Sequence, residues 1–323
     1  MTPNVFQGAE EHVPLNVVEA AWRAARDHDA DVVISFGGGS VIDLGKAVAF
    51  MAEHGRDAVL PEGPATAGSG QVGPSNPSPR VAHVAVPTTY SGTEASGCFY
   101  VSERQEKRRE AGPGVRPDMV ISDPGLTLTL PWKATGGTGM TALAHCMEAL
   151  CSRTRTSLSD SVATSAARSI VQVLPVVTAS PKRVREREEM LGAAFAAGVA
   201  SDVAGRGLHH ALCTGLGGRT GVAHGVASAI LLPLVLRSSP KRPNEGPALF
   251  ARAIGRDDPA QAADALADLI AQLRLPRKLR EVGVFEQDLE AVASWVGERS
   301  HEARNDPDAF SVDDALAILR TAW

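Results

Sequence analysis

The sequence predicts an α/β unit built on a parallel sheet, followed by an all-α unit. Three observations carry that prediction. Within residues 1–125, short apolar runs of strand length end in glycine- or proline-bearing turns and alternate with a helical pattern, as in a parallel sheet with crossover helices. Within residues 126–323, apolar residues recur at three-to-four spacing. A chain of 323 residues is also long enough to bury two separate cores.

The elements follow in order. ADVVISFGGGSVIDLGKAVAFMA reads as a strand over Val32 to Phe36, a turn of three glycines, and a helix opening at Ser40. The glycines let the backbone approach a ligand closely, and the helix start aims unsatisfied N–H groups and a partial positive charge at it, so an anion fits there. The stretch lacks the GxGxxG spacing, and by itself GGGS is equally compatible with a tight turn. PEGPATAGSGQVGPSNPSPR, residues 61–80, is dense in Pro, Gly and Ser and reads as a mobile surface loop. HVAVP is a second buried strand leading into TTYSGTEAS, a loop rich in hydroxyls, and DMVISDP, from Asp118 to Pro124, is a third short strand stopped by proline. After it, TALAHCMEALC, SVATSAARSIVQVL, REEMLGAAFAAGVASDVAG and DDALAILRTAW are helical in period, with no internal repeat and no heptad seam.

Composition excludes several function classes. Hydrophobic residues make up 44% and charged residues 21%, a globular balance. A net charge of -5 argues against nucleic acid, whose phosphates require a basic surface. The N-terminus has neither a basic start nor an apolar h-region, and no run of about 18 apolar residues occurs, so a cytoplasmic protein with no membrane partner is expected. Four cysteines without CxxC spacing are expected to be reduced, buried thiols.

Candidate chemistry lies with the histidines. Thr141 and His145 sit four apart on a predicted helix and share a face. His210 falls at the end of another predicted helix, and His224 follows the glycine-rich turn LGGRTGVA, which could fold back to bring the two together. Three imidazoles from separate segments suit zinc or ferrous iron, while the plainer reading is three hydrogen-bonded core histidines. His209 and His210 diverge by about 100° on a helix, so one of the two faces the Thr141/His145 site. The cations Lys107, Arg108, Arg109 and Arg206 could supply positive charge to an anionic ligand, while the plainer reading of each is a solvated surface residue.

Taken together and in order, FGGGSVIDLGKA, PTTYSGTEAS, ISDPGLTLTLP, TGMTALAHCMEAL and GLHHALCTGLGG with AHGVASAILLP resemble the iron-containing alcohol dehydrogenase superfamily, and most of all its maleylacetate reductase branch. The resemblance implies a nucleotide-binding α/β domain over 1–125, a helical domain over 126–323 and an active site in the cleft between them. It implies that Gly37, Gly38, Gly39 and Ser40 hold the pyrophosphate of NAD or NADP, that Asp43 is the family's aspartate at that helix start and part of the cofactor site, and that Thr88, Thr89, Ser91 and Thr93 line the cofactor near its phosphates and nicotinamide. It places His145, His210 and His224 on the metal-ligand positions for divalent iron or zinc. The fourth position, an aspartate in metal-dependent members, is Thr141 here, which removes an anionic donor and lowers the expected metal affinity. Ala211 stands where the branch has a lysine and Thr214 where it has a further active-site histidine, so anion binding and proton transfer are both weakened. Compared with the family pattern the chain is N-terminally shortened, starting after most of a βαβ segment. That leaves the parallel sheet incomplete, with an edge to cover, and a homodimer is expected.

Two functions follow. The first is an NAD(P)H-dependent reductase of a ketone or enone, with a small-molecule substrate and with His145, His210, His224, Thr141 and Thr214 around the reacting group. The alternative is a repurposed dehydrogenase fold that performs redox-neutral acid/base chemistry (cyclisation, elimination or decarboxylation) without nicotinamide.

Overall fold

The computed structural model describes residues 3–55, 59, 81–238, 245–300, 305 and 310–323. The expected surface loop over 61–80 lies outside the described residues.

Helix α1 (Leu15–Asp27) buries Val17, Val18 and Ala21 on one face. It packs on α2 (Gly39–His54), which follows β1 (Val32–Gly37) directly. Strands β2 (Ala82–Pro87) and β5 (Met119–Val120) complete a three-stranded parallel sheet of order β1-β2-β5, with Ile34 opposite Val84 and Gly37 opposite Pro87. Parallel strands need crossovers, and α2 supplies the first. The other sheet face leaves Ile34 65% and Phe36 60% exposed.

Between β2 and β5 lies an antiparallel hairpin that the polar sequence did not announce, β3 (Cys98–Glu103) and β4 (Glu106–Ala111). Its turn residues Arg104 and Gln105 both have positive φ, 49° and 64°, without the Asn-Gly pair that signals such turns. The strand EKRREA is too charged to read as β from composition. β3 buries Phe99 and Val101 against Val18, Leu44, Val48 and Met51 of α1 and α2, closing the first core.

From Trp132 onward the described chain is helical: α3 (Trp132–Cys151), α4 (Ser157–Ala179), α5 (Val184–Ala204), α6 (Leu208–Thr220), α7 (His224–Ser238), α8 (Gly246–Ala253), α9 (Pro259–Gln272), α10 (Glu286–Arg299) and α11 (Val312–Ala322). Helix α3 is its axis. Met140, Leu143, Cys146 and Leu150 are all fully buried, and a buried Leu contributes roughly 1.5–3 kcal/mol relative to exposure. Helix α4 is long and apolar enough to cross a bilayer, but Ala163, Ala167, Ile170, Leu174 and Val177 are buried in this second core against α3 and α5.

Two local expectations are corrected. His210 lies in the first turn of α6, not at the end of the preceding helix, and the LGG of LGGRTGVA continues α6, leaving a turn of three residues before His224. Glycine is needed there for close approach: a Cβ on Gly218 would come within 3.1 Å of the backbone N of Lys107, because the β3–β4 hairpin seats on α6.

Candidate active site in the cleft between sheet and helices

The site begins where β1 hands over to α2. Gly38 caps α2 with no side-chain hydrogen bond, so the first N–H groups of the helix remain available to a ligand. A Cβ on Gly38 would sit 2.9 Å from Thr89 Cγ2, so any larger residue there forces the GGGS turn and the 88–93 loop apart. Thr88 N donates to Gly37 O at 3.0 Å and the buried Thr89 Oγ1 has no hydrogen-bond partner, which leaves a hydroxyl for a ligand.

The loop that carries these hydroxyls is pinned by two buried cations. Lys46 donates to Thr93 O at 2.7 Å, Ser96 Oγ at 2.9 Å and Cys98 O at 2.9 Å. Burial lowers its pKa and the nearby Asp43 carboxylate opposes that shift. Arg187, wholly buried, donates to Tyr90 Oη at 2.9 Å and Thr127 O at 2.6 Å, tying the loop to α5. Asp43 Oδ2 accepts from Tyr100 N at 3.2 Å, so this carboxylate joins α2 to β3. Its own pKa is raised by burial, against the pull of Lys46 and Arg206.

A cleft of about 170 Å³ brings Gly39, Ser40, Asp43, Ser91 and Thr93 together with Thr141, His145, His210, Thr214 and His224. Gly37, Gly38, Thr88 and Thr89 lie just beyond that lining, at the β1 end and its contact with the 88–93 loop. Thr141 and His145 project from α3, and Glu148, one turn further along, positions the next helix: its Oε1 accepts from Gly207 N and from His210 N, both at 2.9 Å. Glu148 thereby satisfies two orphan donors at the start of α6. His210 faces His145 with ring centroids 5.9 Å apart and His224 at 4.8 Å. His209 turns away, its Nε2 3.1 Å from Ser228 O. Ala211 is wholly buried within the helical core.

All three facing imidazoles are held neutral near pH 7. Burial lowers His145, His210 and His224 well below the usual histidine value; Arg206 adds to the effect at His145 and His210, and Lys107 at His224. Both ring nitrogens of His145 and Nε2 of His224 are buried without a hydrogen-bond partner. They are therefore polar groups awaiting a ligand in the cleft.

Sequence reading missed His12, Cys98 and Tyr100 among the lining residues, and favoured a surface role for Lys107 and Arg206 over the supply of charge to the site. Arg206 and Lys107 are not solvated surface cations. Arg206 is half-buried, its Nη1 donating to Tyr100 Oη at 3.0 Å and touching Cys98 Sγ at 3.2 Å, with the guanidinium 5.5 Å from the Tyr100 ring centroid. Burial pushes the Lys107 ammonium down to about 8. Their cleft position depends on hairpin and helix packing, which no local pattern encodes. Glu148 was the readable one, a glutamate three residues after His145 on a helix otherwise buried.

The donor set fits an oxyanion-binding site better than a divalent metal. Thr141 Oγ1 is already engaged, 3.2 Å from both Gly137 O and Ser228 Oγ, among the described residues no carboxylate replaces the missing ligand, and two cations line the cleft with the imidazoles. Among the described residues no three His, Cys, Asp or Glu side chains gather in a metal-binding arrangement. A nucleotide does fit, by the uncapped α2 start, the orphan Thr89 hydroxyl and the close Gly38 approach.

Known proteins carry the same arrangement of elements. The chain is 31% identical to the maleylacetate reductase of Rhizobium sp. (strain MTP-10005) over 91% of this chain and 75% of that one. It is 32% identical to maleylacetate reductase 2 of Cupriavidus pinatubonensis over 98% of this chain and 80% of that one. The crystal structure of the Rhizobium enzyme superposes with a TM-score of 0.80 at 30% identity, covering 99% of this chain and 81% of that one. Sulfoacetaldehyde reductase from Bifidobacterium kashiwanohense, in complex with NAD+, superposes with a TM-score of 0.83 at 26% identity, covering 99% and 83%. The family profile described as iron-containing alcohol dehydrogenase matches residues 1–124, and that for the C-terminal part of the Fe-containing alcohol dehydrogenase family matches residues 135–323. The chain belongs to the iron-containing alcohol dehydrogenase family and is an oxidoreductase of that family.

Proposed function

We propose that the protein is an NAD(P)H-dependent reductase of a ketone or enone, related in chemistry to maleylacetate reductases, with residues 1–125 binding the nucleotide and residues 126–323 forming the helical side of the cleft. The observation that carries this reading is that the open start of α2 and the three facing imidazoles border one cleft. Gly37, Gly38, Gly39 and Ser40 would hold the pyrophosphate through backbone N–H groups and the helix dipole, and Thr88, Thr89, Ser91 and Thr93 would line the path toward the nicotinamide.

The nicotinamide, when bound, supplies the hydride. The chain's own residues do the rest. Neutral His145, His210 and His224 each carry one N–H, and donated toward the substrate oxygen these hydrogen bonds stabilise the negative charge that develops there. Their depressed pKa values make them hydrogen-bond donors rather than a store of protons near pH 7, so the proton that completes the reduction would come from solvent reaching the cleft, passed on through these N–H groups. Thr141 and Thr214 border the same space as neutral hydroxyls. No step requires a metal.

Titration of the purified chain with NADH and NADPH, followed by quenching of its four tryptophans, tests the proposal. Low-micromolar binding together with nicotinamide-dependent reduction of a ketone or enone is the expected result. No binding at millimolar nucleotide would overturn it in favour of redox-neutral acid/base chemistry in the same histidine cleft.

A further inference from the structure

The segment before α1 enters the cleft through His12 and Val13, and His12 reaches both sides of it. Its backbone N–H donates to Ser40 Oγ at 3.3 Å, in the first turn of α2. Its ring Nε2 lies 3.2 Å from Gly221 O, in the turn that runs from α6 to His224. A carbonyl only accepts, so Nε2 carries the ring proton and donates it. The ring lies over the last turns of α6, where a Cβ on Gly217 would come within 3.2 Å of His12 Cε1 and 3.1 Å of Lys107 Nζ. Burial first and Lys107 second lower the His12 pKa, opposed by the Gly221 carbonyl and Glu11. The ring is therefore neutral near pH 7 and keeps a single N–H, the one given to Gly221.

The backbone that places this ring is strained. His12 and Val13 have φ of 66° and 54°, the left-handed region that a β-branched residue such as Val rarely adopts. The surroundings hold it there. Val13 N donates to Glu10 O at 3.3 Å, Ser102 N of β3 donates to Val13 O at 2.9 Å, and the Val13 side chain is 2% exposed in the first core. In that conformation the His12 N–H meets α2 while its ring meets α6. Strain of this kind persists where the surrounding fold over-determines it, and it gathers at ligand sites. Ser40 Oγ, accepting from His12 N, keeps its own hydrogen to donate, and it borders the same cleft as the open N–H groups of α2. Gly221 stands three residues before His224, the imidazole that opens α7.

We propose that His12 is a positioning residue, a clasp across the cleft that turns the Ser40 hydroxyl toward the nucleotide phosphates and fixes the turn before His224. Occupancy of the α2 start and the placement of that imidazole are thereby linked through one side chain. This rests on the reductase reading for the identity of the nucleotide, while the anchoring of the turn is testable without it.

The experiment is amide hydrogen exchange of the whole chain, with and without NADH, together with NADH titration by tryptophan quenching. Without nucleotide, His12→Ala is expected to quicken exchange at residues 221–226 by about tenfold, because the Gly221 carbonyl loses its anchor. NADH should slow exchange at residues 38–42 in every variant, but at residues 221–226 only where the ring's N–H is kept. NADH affinity should fall by about 3- to 10-fold in His12→Ala. His12→Gly relieves the left-handed strain while removing the ring, so it should unfold at or above the parent temperature and still lose protection at residues 221–226. His12→Gln keeps a side-chain N–H in reach of Gly221 O and should recover most of the slow exchange and of the NADH response. Parent-like exchange at residues 221–226 in folded His12→Ala or His12→Gly would overturn the proposal. So would an NADH response there that survives loss of the ring, or a His12→Gln variant no better than His12→Ala. A parent that binds no NADH would sink the reductase reading and with it the link to the nucleotide, while quickened exchange in His12→Ala would still establish that His12 anchors the turn.

Discussion

Glu148 on α3 accepts the backbone N–H of His210 on α6 at 2.9 Å, three residues after the helix has presented His145 to the same cleft. One helix thus carries one member of the imidazole cluster and fixes the height of another. Replacing Glu148 with Ala leaves two N–H groups of a buried helix start without an acceptor, which costs about 1–3 kcal/mol per group. Reductase turnover is expected to fall by about tenfold or more while NADH affinity stays near the parent value, as read from steady-state kinetics and tryptophan quenching. Retained turnover in a folded variant would show that the placement of His210 does not matter.

Gly38 meets Thr89 so closely that a side chain at this position must displace the loop or block the approach of a phosphate. Gly38→Val is expected to lower NADH affinity by at least about tenfold, through lost backbone hydrogen bonds at the α2 start, as read from tryptophan quenching in a variant that unfolds at the parent temperature.

His83, buried between β1 and β5 with its Nε2 2.9 Å from Ser35 Oγ, ties stability to acid. Burial first, and Lys46 second, lower its value from 6.5 to about 4, with Asp118 opposing. The unfolded chain takes up this proton near 6.5 and the folded one only near 4, so stability present above pH 6.5 is lost as pH falls toward 4. Urea unfolding at pH 7 and pH 5 should show His83→Gln losing about 2 kcal/mol less than the parent between those values.

Metal removal offers a direct check on the donor set. With Thr141 at the fourth position and two cations lining the cleft with the imidazoles, dialysis against a chelator should leave NADH-dependent turnover unchanged, and metal analysis of the purified chain should return well under one equivalent. A stoichiometric, activity-linked metal would contradict the reading of His145, His210 and His224 as hydrogen-bond donors.

Local chemistry determined much of this protein in advance. The run VVISF ending in GGGS fixed a strand, a tight turn and a helix start, since apolar run length, glycine and the helix terminus each act within a few residues. The period of residues 126–323 fixed their helical character, and the spacing of Thr141 and His145 put both on one face of α3. What sequence could not determine was decided by contacts between distant segments. The charged strand EKRREA forms a hairpin because α1 and α2 bury its partner strand β3, and the glycines of LGG stay helical because that hairpin needs room against α6. The placement of Lys107 and Arg206 follows from the same packing. A charged residue reads as surface in one dimension, and only the fold shows whether the space in front of it is water or a cleft lined with neutral imidazoles.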